Sequence, residues 1–165
     1  MNKDNTYKPL LVIITGPTAS GKTALSVRIA EKLNCKIISA DSRQFYKGMT
    51  IGTAAPTQEE LNKVKHYFVG HLNIDNKYNV SKYETDVDEL LKEIFSTDKV
   101  AILTGGSGLY IDAVCKGIDD IPSPPPALRK SLHYRYQKKG LEDLRLQLKL
   151  LDPEYYNNVD IKNPG

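Results

Sequence analysis

With 165 residues, the chain has the length of a single domain and can bury a core. Its 40% hydrophobic and 26% charged residues exclude wholesale disorder, collagen-like repetition and coiled coil. The net charge of +3 is too small to argue for a nucleic-acid partner from the total, but it is unevenly placed: residues 1–121 balance 15 basic against 15 acidic side chains, and 122–165 carry 8 against 5.

In chain order, residues 1–8 are polar and are expected to fray. Leu10–Thr15 (LLVIIT) is a continuous apolar run of the kind buried on both faces of a parallel sheet. After a glycine-bearing loop, Ala24, Leu25, Ile29, Ala30 and Leu33 recur at helical spacing as far as Asn34. Lys36–Ala40 reads as a second apolar strand ending at Asp41. Ser42–Thr57, with Gly48, Gly52 and Pro56, reads as irregular, Gln58–Val64 as a short helix and Tyr67–Leu72 as a further strand. Ser81 is the expected N-cap of a helix whose buried stripe is Tyr83, Val87, Leu90, Leu91 and Ile94. Val100–Thr104 is a third strong strand, closed by Gly105 and Gly106, and Leu109–Lys116 opens a helix.

Pro122, Pro124, Pro125 and Pro126 break this pattern and mark a boundary between a core, 9–121, and a helical segment, 122–165. In the latter, Leu128, Leu132 and Tyr136 keep one helix face, and Leu141, Leu144, Leu148 and Leu151 keep another. Gly140 sits between them as the turn of an αα hairpin. Strands alternating with helices before the prolines imply an α/β fold with a parallel sheet flanked by helices, and a helical insertion or extension after it.

Cys35 and Cys115 have no CxxC or metal spacing and are expected to be small buried hydrophobes in a reducing compartment. The apolar run at Leu10–Ile14 is too short for a signal peptide core or a membrane span, so a cytoplasmic protein without membrane contact is expected. His66, His71 and His133 show no ligand spacing and read as structural.

The most specific signal is Gly16-Pro17-Thr18-Ala19-Ser20-Gly21-Lys22-Thr23, a full match to G-x-x-x-x-G-K-[ST] placed between a strand and a helix, where the motif requires it. Such a loop turns backbone N–H groups toward phosphate oxygens, and the helix N-terminus adds its dipole. Lys22 adds a point charge, and the Thr23 hydroxyl can ligate Mg²⁺. Nucleotide hydrolases usually add a strand ending in an acid for Mg²⁺, but here the third strand runs into Thr104-Gly105-Gly106. The nearest strand-end acid is Asp41, expected to face the same crevice as Lys22 at the carboxyl edge of the sheet.

Four blocks, GPTASGKTAL (16–25), ISADSRQFYKGMTIGTAAPT (38–57), YNVSKYE (78–84) and LTGGSGLYIDAV (103–114), together resemble the tRNA dimethylallyltransferase, or tRNA isopentenyltransferase, family in order and spacing. The resemblance covers about residues 10–160. It implies a P-loop NTPase-like fold and transfer of the dimethylallyl group of dimethylallyl diphosphate to N6 of the adenosine beside the anticodon of tRNA. Diphosphate would be released, with Mg²⁺ as cofactor. It implies that Gly16, Pro17, Thr18, Ala19, Ser20, Gly21, Lys22 and Thr23 hold the diphosphate, with Thr23 on the metal and Asp41, Lys22 and Thr18 catalytic. Asp41, Ser42, Arg43, Gln44, Ser107 and Arg129 would contact the anticodon stem-loop around an extruded base. Lys130, Arg135, Lys138, Lys139 and Arg145 would add sequence-independent phosphate attraction. The enzyme is expected to be a monomer.

The sequence also departs from the family pattern. Ala55 stands where many relatives carry Lys, Ser107 replaces a Thr, and His66-Tyr67 replaces a frequent His pair. The segment Asp160–Gly165 stops as the family approaches an N-D-x-x-R stretch, so the chain reads as the N-terminal half or so of a longer enzyme. Three other readings stay open: an isopentenyltransferase acting on free adenine nucleotides, a small-molecule kinase with the same loop, and a fragment that binds ligands without turning them over.

Overall fold

The computed structural model describes residues 8–49, 53–118 and 124–162. They fall into two compact units, Met1–Asp120 and Ile121–Gly165. Gly52, Pro122 and the Asn163-Pro164-Gly165 end lie outside the described residues, as does the expected boundary itself.

The first unit runs β1 (Leu10–Thr15), α1 (Lys22–Leu33), β2 (Lys36–Ser39), α2 (Gln58–Lys63), β3 (His66–Tyr67), α3 (Val80–Thr97), β4 (Val100–Gly105) and α4 (Gly108–Lys116). All pairings are parallel, in the order β1-β4-β2-β3. This is the α/β architecture with a parallel sheet that the alternation of elements implied, and it agrees with the P-loop NTPase-like fold that the resemblance implied.

Side-chain alternation on the two central strands builds two cores. Ile37 of β2 and Ile102 of β4 face α1, packing with Val27, Ala30, Cys35 and Val64. Ile38, Ala101 and Leu103 face the other way, onto Tyr83, Val87 and Ile94 of α3, Ile111 of α4, and Phe45. Burying an aliphatic side chain of this size stabilises the fold by about 1.5–3 kcal/mol. These central strands therefore carry much of the driving force.

Several expectations are corrected. Among the described residues β1 pairs with β4 alone, and in this chain Leu10 is 56% and Ile13 42% exposed, so the burial on both faces expected of it is not seen here. The strand expected over Tyr67–Leu72 stops at Tyr67, since Phe68 takes a left-handed φ of 60°. Leu72 rejoins the fold through an isolated parallel bridge to Tyr46. α3 is capped by Asn79, whose side chain accepts the Lys82 N–H, and Ser81 lies inside the helix. Cys35 is buried as expected, but Cys115 is exposed near the end of α4, whose inward residues are Ile111 and Ala113.

In the second unit, α5 (Pro126–Leu151) is interrupted at Gly140 (φ 76°, ψ −174°), and α6 (Pro153–Asn158) follows. The Arg135 side chain reaches both Asp143, at 3.1 Å from Nε, and Gln147. In a straight helix these partners would lie about 12 and 18 Å along the axis, so the chain folds back at Gly140 as a hairpin. Arg135 is held by Asp143, and Arg145 by Glu142 and the Ile161 carbonyl at 2.7 Å, so neither stands clear as a free surface cation.

Candidate active site

Because β4 lies between β1 and β2, the loops leaving the carboxyl ends of all three strands meet above β4. The β1 and β2 strands are two strand spacings apart, about 9.5 Å. That gap is filled by the β4 exit, Gly105-Gly106-Ser107. A Cβ placed on Gly106 would stand 3.8 Å from the Gly16 carbonyl and 3.9 Å from Asp41 Oδ2, so Gly106 sits between the loop after β1 and the carboxylate after β2.

The loop Gly16–Gly21 wraps the N-terminus of α1. Gly21 serves as N-cap with φ 81°, a conformation that side chains resist, and no side chain caps the helix there. The first turn also lacks an acidic residue, so its free N–H groups and dipole face the cavity without a competing carboxylate. Lys22 Nζ donates to the Pro17 carbonyl at 2.6 Å, which holds the ammonium over its own loop.

Asp41 follows β2 directly. Its Oδ1 accepts the Arg43 N–H at 3.2 Å and its carbonyl accepts the Gln44 N–H at 2.9 Å, a tight turn that leaves Oδ2 toward Gly106. Ser107, at the head of α4, binds the same turn: its Oγ accepts the Ser42 N–H at 3.1 Å and donates to Ser42 Oγ at 3.3 Å.

Two cavities adjoin these groups. The larger, about 340 Å³, is lined by the loop residues Thr18–Thr23 and continues past Asp41 to Gln44, Ala54–Pro56 and His66. The smaller, about 270 Å³, is lined by Thr18, Asp41, Ser42, Arg43, Thr53, Gly106 and Ser107. Thr18 and Asp41 belong to both. The structure thus brings together Thr18, Ala19, Ser20, Gly21, Lys22, Thr23, Asp41, Ser42, Arg43, Gln44 and Ser107. Arg129 belongs to the second unit, where it is exposed on α5.

His66 contributes its ring to the wall of the larger cavity. Its Nδ1 sits 2.8 Å from the Val64 carbonyl, and burial holds the imidazole below its ordinary range, so it is neutral near pH 7. Among the described residues no group of three or more His, Cys, Asp or Glu side chains is arranged to hold a metal. Among the hard oxygens that line the larger cavity are the Thr23 hydroxyl and the Asp41 carboxylate. That set suits Mg²⁺, which takes one or two protein oxygens and fills the rest of its shell with phosphate and water.

Sequence reasoning missed the layer beneath the site. Ser39 is almost wholly buried; its hydroxyl donates to Gln44 Oε1 at 3.0 Å and accepts the Asp41 N–H at 3.4 Å. Its carbonyl accepts the Tyr83 hydroxyl of α3 at 2.8 Å. A Ser two residues before a strand-end acid, on the same face, is the only trace of this in the sequence.

Comparison with known proteins gives these features a family. A family model described as IPP transferase matches residues 44–165. The tRNA dimethylallyltransferase 1 of Bacteroides fragilis is 54% identical over 159 residues, covering 96% of this chain and 52% of that protein. The solved tRNA isopentenylpyrophosphate transferase of Bacillus halodurans is 34% identical with a TM-score of 0.66, over 95% of this chain and 52% of that one. A eukaryotic dimethylallyltransferase solved acting on tRNA has a TM-score of 0.77 over 95% of this chain and 39% of its own; at 24% identity it speaks for the fold. The chain spans about half the length of the curated relatives it matches. Since the family model takes in most of the chain, from the turn after Asp41 onward, and relatives extend the match back through the glycine-rich loop, the chain belongs to the IPP transferase family.

Proposed function

We propose that the protein acts in the transfer of a dimethylallyl group from dimethylallyl diphosphate to N6 of the adenosine beside the anticodon of tRNA, releasing diphosphate. The observation that carries this reading is that Asp41 and Thr18 line both cavities. A diphosphate donor seated on the Gly16–Thr23 loop in the larger cavity would present its allylic carbon beside Asp41. An extruded adenine entering the smaller one would bring its amine to the same carboxylate.

In the reaction, the N6 lone pair forms a bond to C1 of the allyl group while the C1–O bond breaks and its electrons leave with the diphosphate. Asp41 receives the proton that N6 gives up. The loop N–H groups and Lys22 stabilise the charge that grows on the leaving group. When bound, Mg²⁺ would neutralise part of that charge, held by Thr23. A loop that binds a leaving diphosphate needs no water-positioning group, and β4, which ends at Gly105, supplies none. Ser42, Arg43 and Ser107 line the smaller cavity, where the base would sit, and Arg129 would reach the stem. The protein acts as a cytoplasmic monomer; among the described residues no helix is long and apolar enough to cross a membrane.

The test is transfer of label. Dimethylallyl diphosphate carrying label in its alkyl chain is incubated with an anticodon stem-loop RNA, Mg²⁺ and the protein. Label is expected in the RNA as an N6-substituted adenosine. Label moving instead from the γ-phosphate of ATP, or onto free adenine nucleotide in preference to the RNA, would replace this reading. Binding of diphosphate and stem-loop without transfer would make the chain a binding half.

A further inference from the structure

The Gln44 side chain lies in the larger cavity, but its carboxamide is committed to the protein. Nε2 donates to the Thr53 carbonyl at 3.2 Å and to the Ala54 carbonyl at 3.1 Å. A carboxamide nitrogen has two hydrogens, so both are used. The orientation is forced, because two carbonyls accept and cannot donate. Oε1 therefore points the other way, where it accepts the Ser39 hydroxyl at 3.0 Å.

Each partner matters to the site. Thr53 walls the smaller cavity and Ala54 the larger. Ala54 holds φ 49°, a left-handed conformation unusual for alanine, which persists only where its surroundings hold it. Ser39, once its proton is directed to Gln44, offers its lone pair to the Asp41 N–H. The Gln44 backbone is fixed as well: its N–H donates to the Asp41 carbonyl at 2.9 Å and its carbonyl accepts the Gly70 N–H at 2.8 Å.

We infer that Gln44 is a positioning residue that clamps the Thr53-Ala54 wall to Ser39, and through Ser39 sets the backbone of Asp41, instead of donating a hydrogen bond to the RNA. The inference rests on the prenyl-transfer reading only for the importance of Asp41; the clamp itself is a property of the protein.

The experiment has two arms on the full 165-residue chain. In the first, amide hydrogen exchange is followed in the wild type and in Gln44→Ala, with affinity for inorganic diphosphate measured alongside. Loss of hydrogen bonds worth about 1 kcal/mol each predicts that exchange at Asp41 and around residues 53–56 quickens about tenfold or more, while diphosphate affinity stays within about twofold. Adding Ala54→Gly, which tolerates positive φ, restores part of the protection around 53–56. In the second arm, kcat of Gln44→Ala falls about tenfold with the KM for stem-loop RNA little changed. Gln44→Glu is nearly isosteric, keeps the acceptor for Ser39 and sets a carboxylate against two carbonyls. It quickens exchange around residues 53–56 as Gln44→Ala does but leaves Asp41 protected, and it reads the Thr53-Ala54 side of the clamp should the alanine variant not fold. Unchanged exchange at Asp41 and 53–56, no restoration by Ala54→Gly, or a raised RNA KM at unchanged kcat would each overturn the proposal. If the wild type binds diphosphate but transfers no allyl group, the functional reading fails and the exchange arm still decides the role of Gln44.

Discussion

Gly105 and Ala40 are in backbone contact: a Cβ added to Gly105 would stand 2.3 Å from both the carbonyl carbon and the oxygen of Ala40. The contact is reinforced by the Ala40 N–H, which donates to the Thr104 carbonyl at 2.7 Å, and by the Ser107 N–H, which donates to the Ala40 carbonyl at 3.2 Å. The carboxyl ends of β2 and β4 are therefore pressed together one residue before Asp41. Gly105→Ala must push the strands apart at backbone level, where no side chain can yield. Overpacking of this kind costs about 1–3 kcal/mol, and the upper end is expected here. Thermal denaturation should show a midpoint lowered by roughly 6–12 °C at about 2–4 °C per kcal/mol. A wild-type midpoint in Gly105→Ala would mean that the strands are not so closely apposed.

The phosphate loop makes a prediction of its own. The Lys22 ammonium rests on the Pro17 carbonyl, an exposed contact that contributes little to folding. Its value lies in meeting an anion. Lys22→Met keeps most of the apolar stem and removes the charge. With a charged hydrogen bond worth about 1.5–3 kcal/mol, affinity for inorganic diphosphate is expected to fall about 10- to 100-fold at an almost unchanged melting midpoint. Titration calorimetry on both proteins reads the difference directly.

Asp41→Asn separates binding from chemistry. Asparagine can still accept the Arg43 N–H that now meets Oδ1, so the turn should survive. The carboxylate that would take the N6 proton is gone. Loss of a positioned base lowers turnover by about 10²- to 10⁴-fold, and single-turnover transfer assays should show that drop while diphosphate binding persists. Equal loss of binding and turnover would point to a purely structural Asp41.

The contrast between these residues and Gln44 indicates what a sequence can carry. The loop at 16–23 is legible because its chemistry is written in consecutive residues, and β2 and β4 because strands buried on both faces must be apolar throughout. The strand order was not legible. LLVIIT and VAILTG are both apolar runs, and only long-range pairing sets the order β1-β4-β2-β3. Gln44 was recognised as a site residue, but its partners are backbone carbonyls on an irregular segment whose path no periodicity describes. The pairing of Arg135 with Asp143 likewise follows from the fold-back at Gly140, not from helical spacing.

Tyr83 links the core to the site and gives stability a pH dependence. Its ring is buried against Phe45 and Tyr110, and its hydroxyl donates to the Ser39 carbonyl. Burial first, then the neighbouring Tyr110, pushes its pKa well above the ordinary tyrosine range, and burial together with Asp86 does the same for Tyr78. In the unfolded chain both ionise near pH 10. Above that pH the folded protein keeps protons that the unfolded one has released. The stabilisation is therefore complete below about pH 10 and is lost progressively as the pH rises toward the folded values. Tyr83→Phe gives up the buried hydrogen bond, worth about 1–2 kcal/mol near neutrality, and removes one of the groups responsible for alkaline destabilisation. Urea unfolding at about pH 7 and at about pH 10.5–11 should show the variant weaker at the lower pH and the gap narrowing at the higher. A gap that widens with pH would contradict the buried, neutral phenol.

Arg135 and Arg145 are occupied by Asp143 and by Glu142 with the Ile161 carbonyl, whereas Arg129 and Lys130 are exposed on the first half of α5. If RNA phosphates are met here, they are met by the residues left unengaged. Arg129→Glu with Lys130→Glu should weaken stem-loop binding. It should also flatten the dependence of log K on log salt by about one for each phosphate no longer neutralised. Diphosphate affinity should not change, since every residue lining the larger cavity lies in the first unit. Asp143→Lys should instead loosen the hairpin by freeing Arg135, and would be read in helix content before RNA affinity. Fluorescence anisotropy with a labelled stem-loop across a salt series, beside calorimetry with diphosphate, tells an RNA-tracking arm from a merely solvated helix face. In the second case the charge-reversed protein keeps both its affinity and its salt slope.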